Sequence, residues 1–447
     1  MLHDIRRSSK RFSKVLELIE SQIYRDRRSL PPFHFRELDN PGLSIERFDF
    51  DAPEDKKILP NSAWGSAEQN FVLRTAFQIP GEWSNVDRIG LFLPIGIAGD
   101  FSHPEALVYL DGEPYAAVDR HHQELELPYD IVKERTHELI LHGWTGNLSL
   151  GKVPTLWMGE PCLFIIDQAT RDLVSNARVA LGIADRLEPD DPVRARLLSA
   201  IERAFVLLDL QEPIGDGFYA SISYALDELR NGIRDSGSPR EINIWAAGHA
   251  HIDIAWLWTL MQSRQKAGRT FHNVIRLMEK NPQFTFSQSQ PQLYEFVRQD
   301  FPELFEEIKN KISQGQWEPL GGMWVESDCN IPGGESLVRQ LLLGRKYFEN
   351  QFGESAESPV LWLPDVFGFP WSLPQLIKGA GLESFFTIKI GWSQYNRIPY
   401  DSFWWQGIDS TKILTHFSTT RGSNDTFIST YNATATPDAV SYTHLRA

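Results

Sequence analysis

The chain has 447 residues, of which 42% are hydrophobic and 23% are charged, and its formal net charge is −15. At about 150 residues per domain this length predicts roughly three domains, and the apolar content excludes a wholly disordered chain. The excess of acidic residues argues against a nucleic-acid-binding protein, because contact with phosphates requires a basic face. No run of about 20 apolar residues predicts a membrane span.

The N-terminal segment has a basic start but lacks the apolar stretch of a secretory signal. Its apolar residues fall at helical spacing, so we expect residues 1–59 to form a surface helix followed by an irregular extended segment. The chain contains only two cysteines, Cys162 and Cys329, which cannot form a disulfide framework. Together these features lead us to expect a cytoplasmic protein.

Residues 60–165 contain short β-prone runs separated by Gly, Pro and Asp, such as FVLRTAFQIP, RIGLFLPIGI and ALVYLDGEPYAAV. This spacing predicts a β-sandwich-like domain. Residues 166–241 instead carry apolar stripes with a period of 3.6 residues, which predicts two or three helices. We expect these helices to connect the sandwich to the next domain.

Strand-like and helix-like segments alternate from residue 242 onward. INIWAAGHAHID, FTFSQSQ and VLWLPD have the pattern of strands, and GESLVRQLLLGRKYFENQFG has the pattern of a helix. Repeated βα units predict a parallel sheet, either open or closed into a barrel. In such sheets, ligands bind at the carboxyl ends of the strands.

Polar or aromatic side chains follow four predicted strands, at the end where ligands bind. These strands lie in the runs INIWAAGHAHID, WEPLGGMWVESD, VLWLPD and SFFTIKI. The side chains are His249, His251 and Asp253 after the first strand, then Glu326 with Asp328, then Asp365, and finally Trp392 with Gln394. A carboxylate directly after an apolar strand is costly in a core unless it is paired or binds a metal. Because imidazole and carboxylate groups are zinc ligands, the pattern predicts a catalytic or metal centre.

Carboxylates that converge in this way suit glycoside hydrolysis. A retaining glycosidase uses one carboxylate as nucleophile and a second as acid/base, and a metal ion can orient the sugar hydroxyls. Tryptophans near these motifs offer flat faces on which a sugar can stack, although such rings also fill ordinary cores. We expect Trp256, Trp324 and Trp392 to contact the substrate.

Several long motifs resemble the α-mannosidases of glycoside hydrolase family 38, most closely the cytosolic and vacuolar, bacterial-like branch. They are GHAHIDIAWLW (248–258), QWEPLGGMWVESDCNIPGGESLVRQLLLGRKYF (316–348), LWLPDVFGFPWSLPQLIKGAGL (361–382) and FWWQGIDSTKILTHF (403–417). The resemblance implies an incomplete, seven-stranded α/β barrel over residues 242–439, preceded by a β-rich domain. It also implies a zinc-dependent retaining α-mannosidase that hydrolyses terminal α-linked mannose from oligosaccharides.

The same resemblance implies a ligand set for one zinc ion. His251, Asp253 and Asp328 match the family's ligand motifs, and Asp328 also matches its nucleophile. The fourth ligand of the family is a distant histidine that we expect beyond residue 447, because His416 does not match its motif. Another divalent ion such as Co²⁺ could replace zinc, since the ligand types suit both.

The resemblance also bears on the residues around the metal. Asp365 would line the mannose pocket and is one candidate for the acid/base, and Asp425 is another. His249 and Glu326 would support the site without binding the ion.

The chain stops where members of the family continue. Residues 440–447 (VSYTHLRA) break the pattern and resemble a translated sequencing-adapter tail, so we expect a truncated gene model. Residues 1–447 alone should then bind zinc weakly and show no turnover. Two other functions stay open, a metal-dependent polysaccharide deacetylase and a non-catalytic carbohydrate-binding fragment. The expected partners are mannose-containing oligosaccharides, without nucleic acid or membrane, and a homo-oligomer stays open.

Overall fold

The fold is that of a computed structural model. It describes residues 2–42, 56–96, 102–133, 135–147, 155–211, 214–238, 245–393, 395–396, 398–418 and 437. The helices are α1 (Leu2–Glu20), α2 (Gln168–Ala184), α3 (Pro192–Val206), α4 (Asp216–Ser236), α5 (Leu260–Lys280), α6 (Pro291–Asp300), α7 (Pro302–Ser313), α8 (Gly334–Phe352) and α9 (Leu373–Gly379).

The strands divide into those before and those after helix α4. The first set is β1 (Tyr24–Ser29), β2 (Phe33–Leu38), β3 (Lys56–Ile58), β4 (Ser62–Trp64), β5 (Asn70–Gln78), β6 (Ile89–Phe92), β7 (Glu105–Leu110), β8 (Glu113–Asp119), β9 (Glu124–Glu126), β10 (Thr136–Trp144), β11 (Leu156–Met158) and β12 (Cys162–Ile166). The second set is β13 (Gly248–His249), β14 (Phe286–Gln288), β15 (Trp317–Pro319), β16 (Val360–Leu363), β17 (Ser384–Thr387), β18 (Ser402–Gln406) and β19 (Lys412–Phe417).

Two antiparallel sheets share the first core. One sheet has the order β3-β2-β5-β10-β7-β8 and the other has the order β1-β12-β6-β9. Phe71 and Val108 from the first sheet and Leu91 and Leu163 from the second belong to one buried cluster. Strand β2 lies in the segment after residue 28 that we expected to be irregular, and β1 begins inside the segment that we expected to be helical. Phe33 of β2 is buried in the same core, which favours an ordered strand there.

Helices α1 to α4 form a second core. Three of them lie between residues 166 and 241, where two or three helices were predicted. Helix α1 joins them through the ring of Phe12, whose centroid is 5.7 Å from that of Phe205 in α3. Asp167 caps helix α2 by accepting a hydrogen bond from the backbone N–H of Thr170, which satisfies a donor that the helix leaves unpaired.

Two sheets with parallel strands account for most of the chain after α4. Strands β13, β14 and β15 are parallel neighbours, and β16, β17 and β19 are parallel neighbours with β18 antiparallel at the edge. Helices α5, α6 and α7 share a core with the first of these sheets, and α8 and α9 share one with the second. No strand pairing joins these two sheets within the described residues, so the seven-stranded barrel stays a prediction.

Proline and glycine set the limits of the helices in this half of the chain. The helical pattern after residue 290 is divided into α6 and α7 at Pro302, which lacks the N–H needed to continue a helix. Gly353 ends α8 at a φ of 87°, the left-handed conformation that glycine adopts without strain. None of the helices in the described part of the chain has the length and apolar character needed to cross a membrane.

Candidate metal centre

The segments that follow strands β13 and β16 bring His251, Asp253 and Asp365 together. His251 Nε2 lies 2.9 Å from Asp253 Oδ1 and 3.6 Å from Asp365 Oδ2. One ligand atom from each of these residues lies within 4.8 Å of the other two. The side chain of His251 is only 6% exposed, whereas Asp253 is 30% exposed and Asp365 20%. The group therefore opens toward solvent on its carboxylate side.

The other nitrogen of the His251 ring faces Glu326. Its Nδ1 lies 3.2 Å from Glu326 Oε2, and both side chains are 6% exposed. Ser289 Oγ donates a hydrogen bond of 2.6 Å to Glu326 Oε1. His249, His251 and Glu326 form a second group whose ligand atoms lie within 4.8 Å of one another. Glu326 thus orients the ring that Asp253 contacts from the opposite side, as carboxylates do for histidines that bind metals.

The two histidines differ in their electrostatic surroundings. Burial lowers the pKa of His249, whose Nδ1 lies 2.8 Å from a backbone carbonyl oxygen of β14. Burial also opposes protonation of His251, but the carboxylates of Asp253, Asp365 and Glu326 outweigh it and raise its pKa to about 12. These carboxylates favour a positive charge next to His251. A bound metal cation would provide that positive charge while the His251 ring itself stays neutral.

Lys389 is a member of the site that sequence reasoning missed. Its Nζ lies 2.6 Å from Asp365 Oδ1, and its side chain is 8% exposed. Burial raises the pKa of Asp365, but hydrogen bonds from His251 and Lys389 outweigh this effect and lower it. The available signal was a lysine at the end of the apolar run SFFTIKI, since a buried lysine needs a partner.

Gln290 was also missed. It is 3% exposed and its φ is 67°, in the left-handed region that a residue with a side chain rarely adopts. Its Nε2 donates a hydrogen bond of 2.8 Å to the carbonyl oxygen of Ile252, and its Oε1 accepts one of 3.1 Å from the N–H of Glu326. Gln290 therefore ties together the segments that carry His251 and Glu326. The only signal for it was the polar ending of FTFSQSQ.

Asp328, the predicted ligand and nucleophile, lies in an exposed turn two residues after Glu326. Its Oδ1 accepts hydrogen bonds from the backbone N–H groups of Asn330 and Ile331, at 2.7 Å and 2.9 Å. Among the described residues, Asp328 belongs to neither of the two groups suited to a metal. Its roles as ligand and nucleophile stay predictions.

The predicted stacking residues lie in different environments. Trp256 is 55% exposed in the turn after Asp253. Trp324 is half-buried, and its Nε1 donates a hydrogen bond of 3.0 Å to the side chain of Gln292. Outside the described residues lie the side chain of Trp392, Gln394, Asp425 and residues 440–447.

Residues 241–446 match the model of the Glycosyl hydrolases family 38 N-terminal domain. The chain is 44% identical over 180 residues to Alpha-mannosidase G of Dictyostelium discoideum, a match that covers 40% of this chain and 16% of the relative. It is 32% identical over 358 residues to Alpha-mannosidase 2C1 of Homo sapiens, a match that covers 76% of this chain and 34% of the relative. The chain therefore spans about a third or less of the length of these relatives.

A solved alpha-mannosidase structure from Enterococcus faecalis V583 is 24% identical in sequence to this chain. The match covers 38% of this chain and 19% of that chain, with a TM-score of 0.33.

Proposed function

Because residues 241–446 of this chain belong to glycosyl hydrolase family 38, we propose that the chain forms part of a zinc-dependent retaining α-mannosidase. Its substrates would be oligosaccharides that end in α-linked mannose. The observation that carries the proposal is the meeting of His251, Asp253 and Asp365 inside the family domain, with ligand atoms within 4.8 Å of one another. The relatives Alpha-mannosidase G and Alpha-mannosidase 2C1 support the same chemistry through their names.

The residues present fit a zinc ion. An imidazole nitrogen and carboxylate oxygens at one strand edge are the donors that zinc takes, and the carboxylates around His251 favour positive charge there. We propose His251 and Asp253 as ligands, Asp365 as the third ligand that the geometry supports, and Asp328 as the one that the family resemblance implies. When bound, the ion would orient and polarise the hydroxyl groups of the sugar. The same donor types leave room for Co²⁺.

The proposed nucleophile is Asp328, whose carboxylate would attack the anomeric carbon and form a glycosyl ester. The glycosidic bond would break in the same step, and the leaving alcohol would take its proton from a general acid. Water would then hydrolyse that ester with net retention of configuration. Asp365 suits a different task, because its pKa is lowered by His251 and Lys389 and it is therefore ionised at neutral pH. A general acid must carry a proton at the start of the reaction, so Asp365 is better suited to bind the ion or the sugar.

The wider organisation that we propose places the catalytic unit in residues 242–439. The unit would be a seven-stranded barrel, preceded by the N-terminal segment (1–59), a sandwich-like domain (60–165) and a helical connector (166–241). We also propose a cytoplasmic location. Its support is that Cys162 and Cys329 are both free and buried, as in proteins of reducing compartments.

The decisive experiment measures hydrolysis of an aryl α-mannoside by this chain and by any longer product of its gene. In whichever product turns over, Asp328→Asn should lower the rate by a factor on the order of 10³ or more. Asp409→Asn, a change of an exposed carboxylate in the turn before β19, is the matched control and should leave the rate unchanged. Proton NMR of the first product should show the α-anomer of mannose.

Other outcomes would redirect the assignment. Full activity of Asp328→Asn would remove that residue as nucleophile. Release of acetate from acetylated polysaccharides without release of mannose would support a deacetylase. Binding of mannosides with no turnover in any product of the gene would support a carbohydrate-binding fragment.

A further inference from the structure

Helix α5 follows the turn after Asp253 and lies against the β-sandwich along its length. The N–H of Ala117 in β8 donates a hydrogen bond of 2.8 Å to the side-chain oxygen of Asn273 in α5. Near the end of the helix, Lys280 Nζ lies 3.0 Å from Glu126 Oε2 of β9. The helix that begins next to the candidate metal centre is therefore attached to a different part of the fold.

Glu105 of β7 is the centre of a buried ion cluster at this junction. Its Oε1 lies 2.5 Å from Lys266 Nζ and 2.9 Å from Arg269 Nη2, both in α5. The side chains of Glu105, Lys266 and Arg269 are 13%, 17% and 4% exposed. Lys266 and Arg269 share the Glu105 carboxylate here with little water, and the negative charge of Asp119 acts on both of them. A buried cation in such a cluster gains from any further contact that stabilises it.

Lys266 has such a contact with Trp258. Its Nζ lies 4.1 Å from the centroid of the Trp258 ring, where the electron-rich face of an indole attracts a cation. The Nε1 of the same ring donates a hydrogen bond of 3.0 Å to the backbone carbonyl oxygen of Asp253. A continuous chain of contacts thus runs from Glu105 in the sandwich to the peptide group of a proposed metal ligand.

The turn between Asp253 and Trp258 contains strained backbone that needs such support. Ala255 has a φ of 64°, in the left-handed region that disfavours any residue with a Cβ atom. Its N–H donates a hydrogen bond of 3.0 Å to Ser263 Oγ in α5. Strained backbone persists only where the surrounding structure holds it in place, and here α5 supplies that structure.

We propose that Lys266 is a positioning residue for the candidate metal centre. Glu105 holds the Lys266 ammonium, which keeps the Trp258 ring in the position where its Nε1 donates a hydrogen bond to the Asp253 carbonyl oxygen. That hydrogen bond directs the Asp253 carboxylate toward His251. The proposal gives the β-sandwich a part in building the site, through a contact across the junction. This positioning role rests on the proposed function only for the identity of the metal ion that the centre binds.

The first test compares hydrogen exchange in the variants Lys266→Met and Lys280→Met, in metal-free full chain. Lys266→Met removes the ammonium but keeps a long apolar stem, and Glu105 retains Arg269 as its partner. Lys280→Met is matched to it, because it breaks another ion pair between α5 and the sandwich while Glu126 retains Arg88 at 3.2 Å. Mass spectrometry would follow the peptide that contains residues 253–258.

Exchange in that peptide should become roughly 5- to 30-fold faster in Lys266→Met, the factor expected from loss of a cation–π contact. It should stay at the wild-type rate in Lys280→Met. Lys266→Arg should restore slow exchange, because a guanidinium can pair with Glu105 and also stack on an indole ring. Unchanged exchange in Lys266→Met, or an equal increase in both methionine variants, would overturn the proposal.

The second test measures zinc affinity of the same variants by competition with a chelator. Lys266→Met should bind zinc less tightly than Lys280→Met by a similar factor. If the wild-type chain binds no zinc, the zinc dependence in the proposed function is wrong. The hydrogen-exchange result then decides the positioning role of Lys266 by itself. If the wild type binds zinc and Lys266→Met alters neither measurement, the positioning role fails and the proposed function stands.

Discussion

His251 Nε2 lies 3.6 Å from Asp365 Oδ2, although the two residues follow strands of different sheets. Aromatic packing brings those sheets together. The ring of Trp362 in β16 lies 5.1 Å from the ring of His249 in β13 and stacks at 4.0 Å on Phe386 in β17. The candidate metal centre therefore depends on how the two sheets pack, as well as on the residues that end each strand.

Asp365→Asn should weaken zinc binding by roughly 10- to 100-fold, because a neutral amide oxygen attracts the cation less than a carboxylate oxygen. Competition with a chelator of known affinity measures the change. Asp409→Asn serves as the control, since Asp409 accepts its hydrogen bonds from Thr411 within its own exposed turn. Equal zinc affinity of Asp365→Asn and the wild type would place Asp365 outside the metal centre.

Gln290 should tolerate glycine better than alanine. Both substitutions remove the hydrogen bonds to Ile252 and Glu326 and leave buried backbone groups unpaired, at a cost of about 2 kcal/mol or more in the free energy of unfolding. Only glycine relieves the strain of a φ of 67°, so Gln290→Gly should be about 1 kcal/mol more stable than Gln290→Ala. Urea unfolding of the two variants measures this difference, and equal stability would show that the backbone there is unstrained.

Gly344 lies where helix α8 presses on the segment that leads to Glu326. A Cβ atom at this position would lie 2.7 Å from the carbonyl carbon of Met323 and 2.8 Å from the nitrogen of Trp324. Gly344→Ala should therefore lower the free energy of unfolding by about 1–3 kcal/mol, despite the higher helix propensity of alanine.

Gly334, the first residue of the same helix, provides the matched control for Gly344. A Cβ atom there would meet nothing within 4 Å among the contacts that the structure describes. Gly334→Ala should leave stability unchanged or raise it by up to about 1 kcal/mol. Thermal unfolding of both variants tests the pair, and a Gly344→Ala protein as stable as Gly334→Ala would refute the close packing.

His272 should make the protein less stable in mild acid. Burial lowers its pKa to about 4, whereas an unfolded histidine has a pKa of about 6.5. Between these values the unfolded chain binds more protons than the folded chain, so stability falls as the pH decreases from about 6.5 toward 4. The loss from this residue between about pH 7 and pH 5 should be about 2 kcal/mol.

The variant His272→Asn isolates this effect. An asparagine amide can replace the ring nitrogen that lies 2.8 Å from the carbonyl oxygen of Gly268, but it does not titrate. Its stability should therefore fall less steeply with decreasing pH than that of the wild type, as urea unfolding at several pH values would show. Burial also lowers the pKa of His142 to about 4, so His272→Asn should keep the part of the pH dependence of stability that comes from His142.

Much of the local structure follows from periodicity in the sequence. The apolar stripes predicted the helices between residues 166 and 241, and the alternation of strand and helix patterns after residue 242 matches the parallel pairing of β13, β14 and β15. Strands β1 and β2 escaped prediction because their polar, proline-interrupted segment forms a sheet only when β12 and β5 provide partners. Pairing over such distances in the chain has no local signal.

The spacing of HxHxD and the carboxylate that ends VLWLPD indicated His251, Asp253 and Asp365, whose ligand atoms lie within 4.8 Å of one another. The same reasoning also indicated Asp328, which among the described residues belongs to neither group suited to a metal. The carboxyl ends of parallel strands lie at one edge of the sheet, so residues that directly follow these strands begin at that edge. Only the tertiary structure decided that Lys389 pairs with Asp365 and that Lys266 reaches Trp258. These contacts join segments whose approach depends on the packing of whole sheets and helices, and that packing is not encoded by any local spacing of residues.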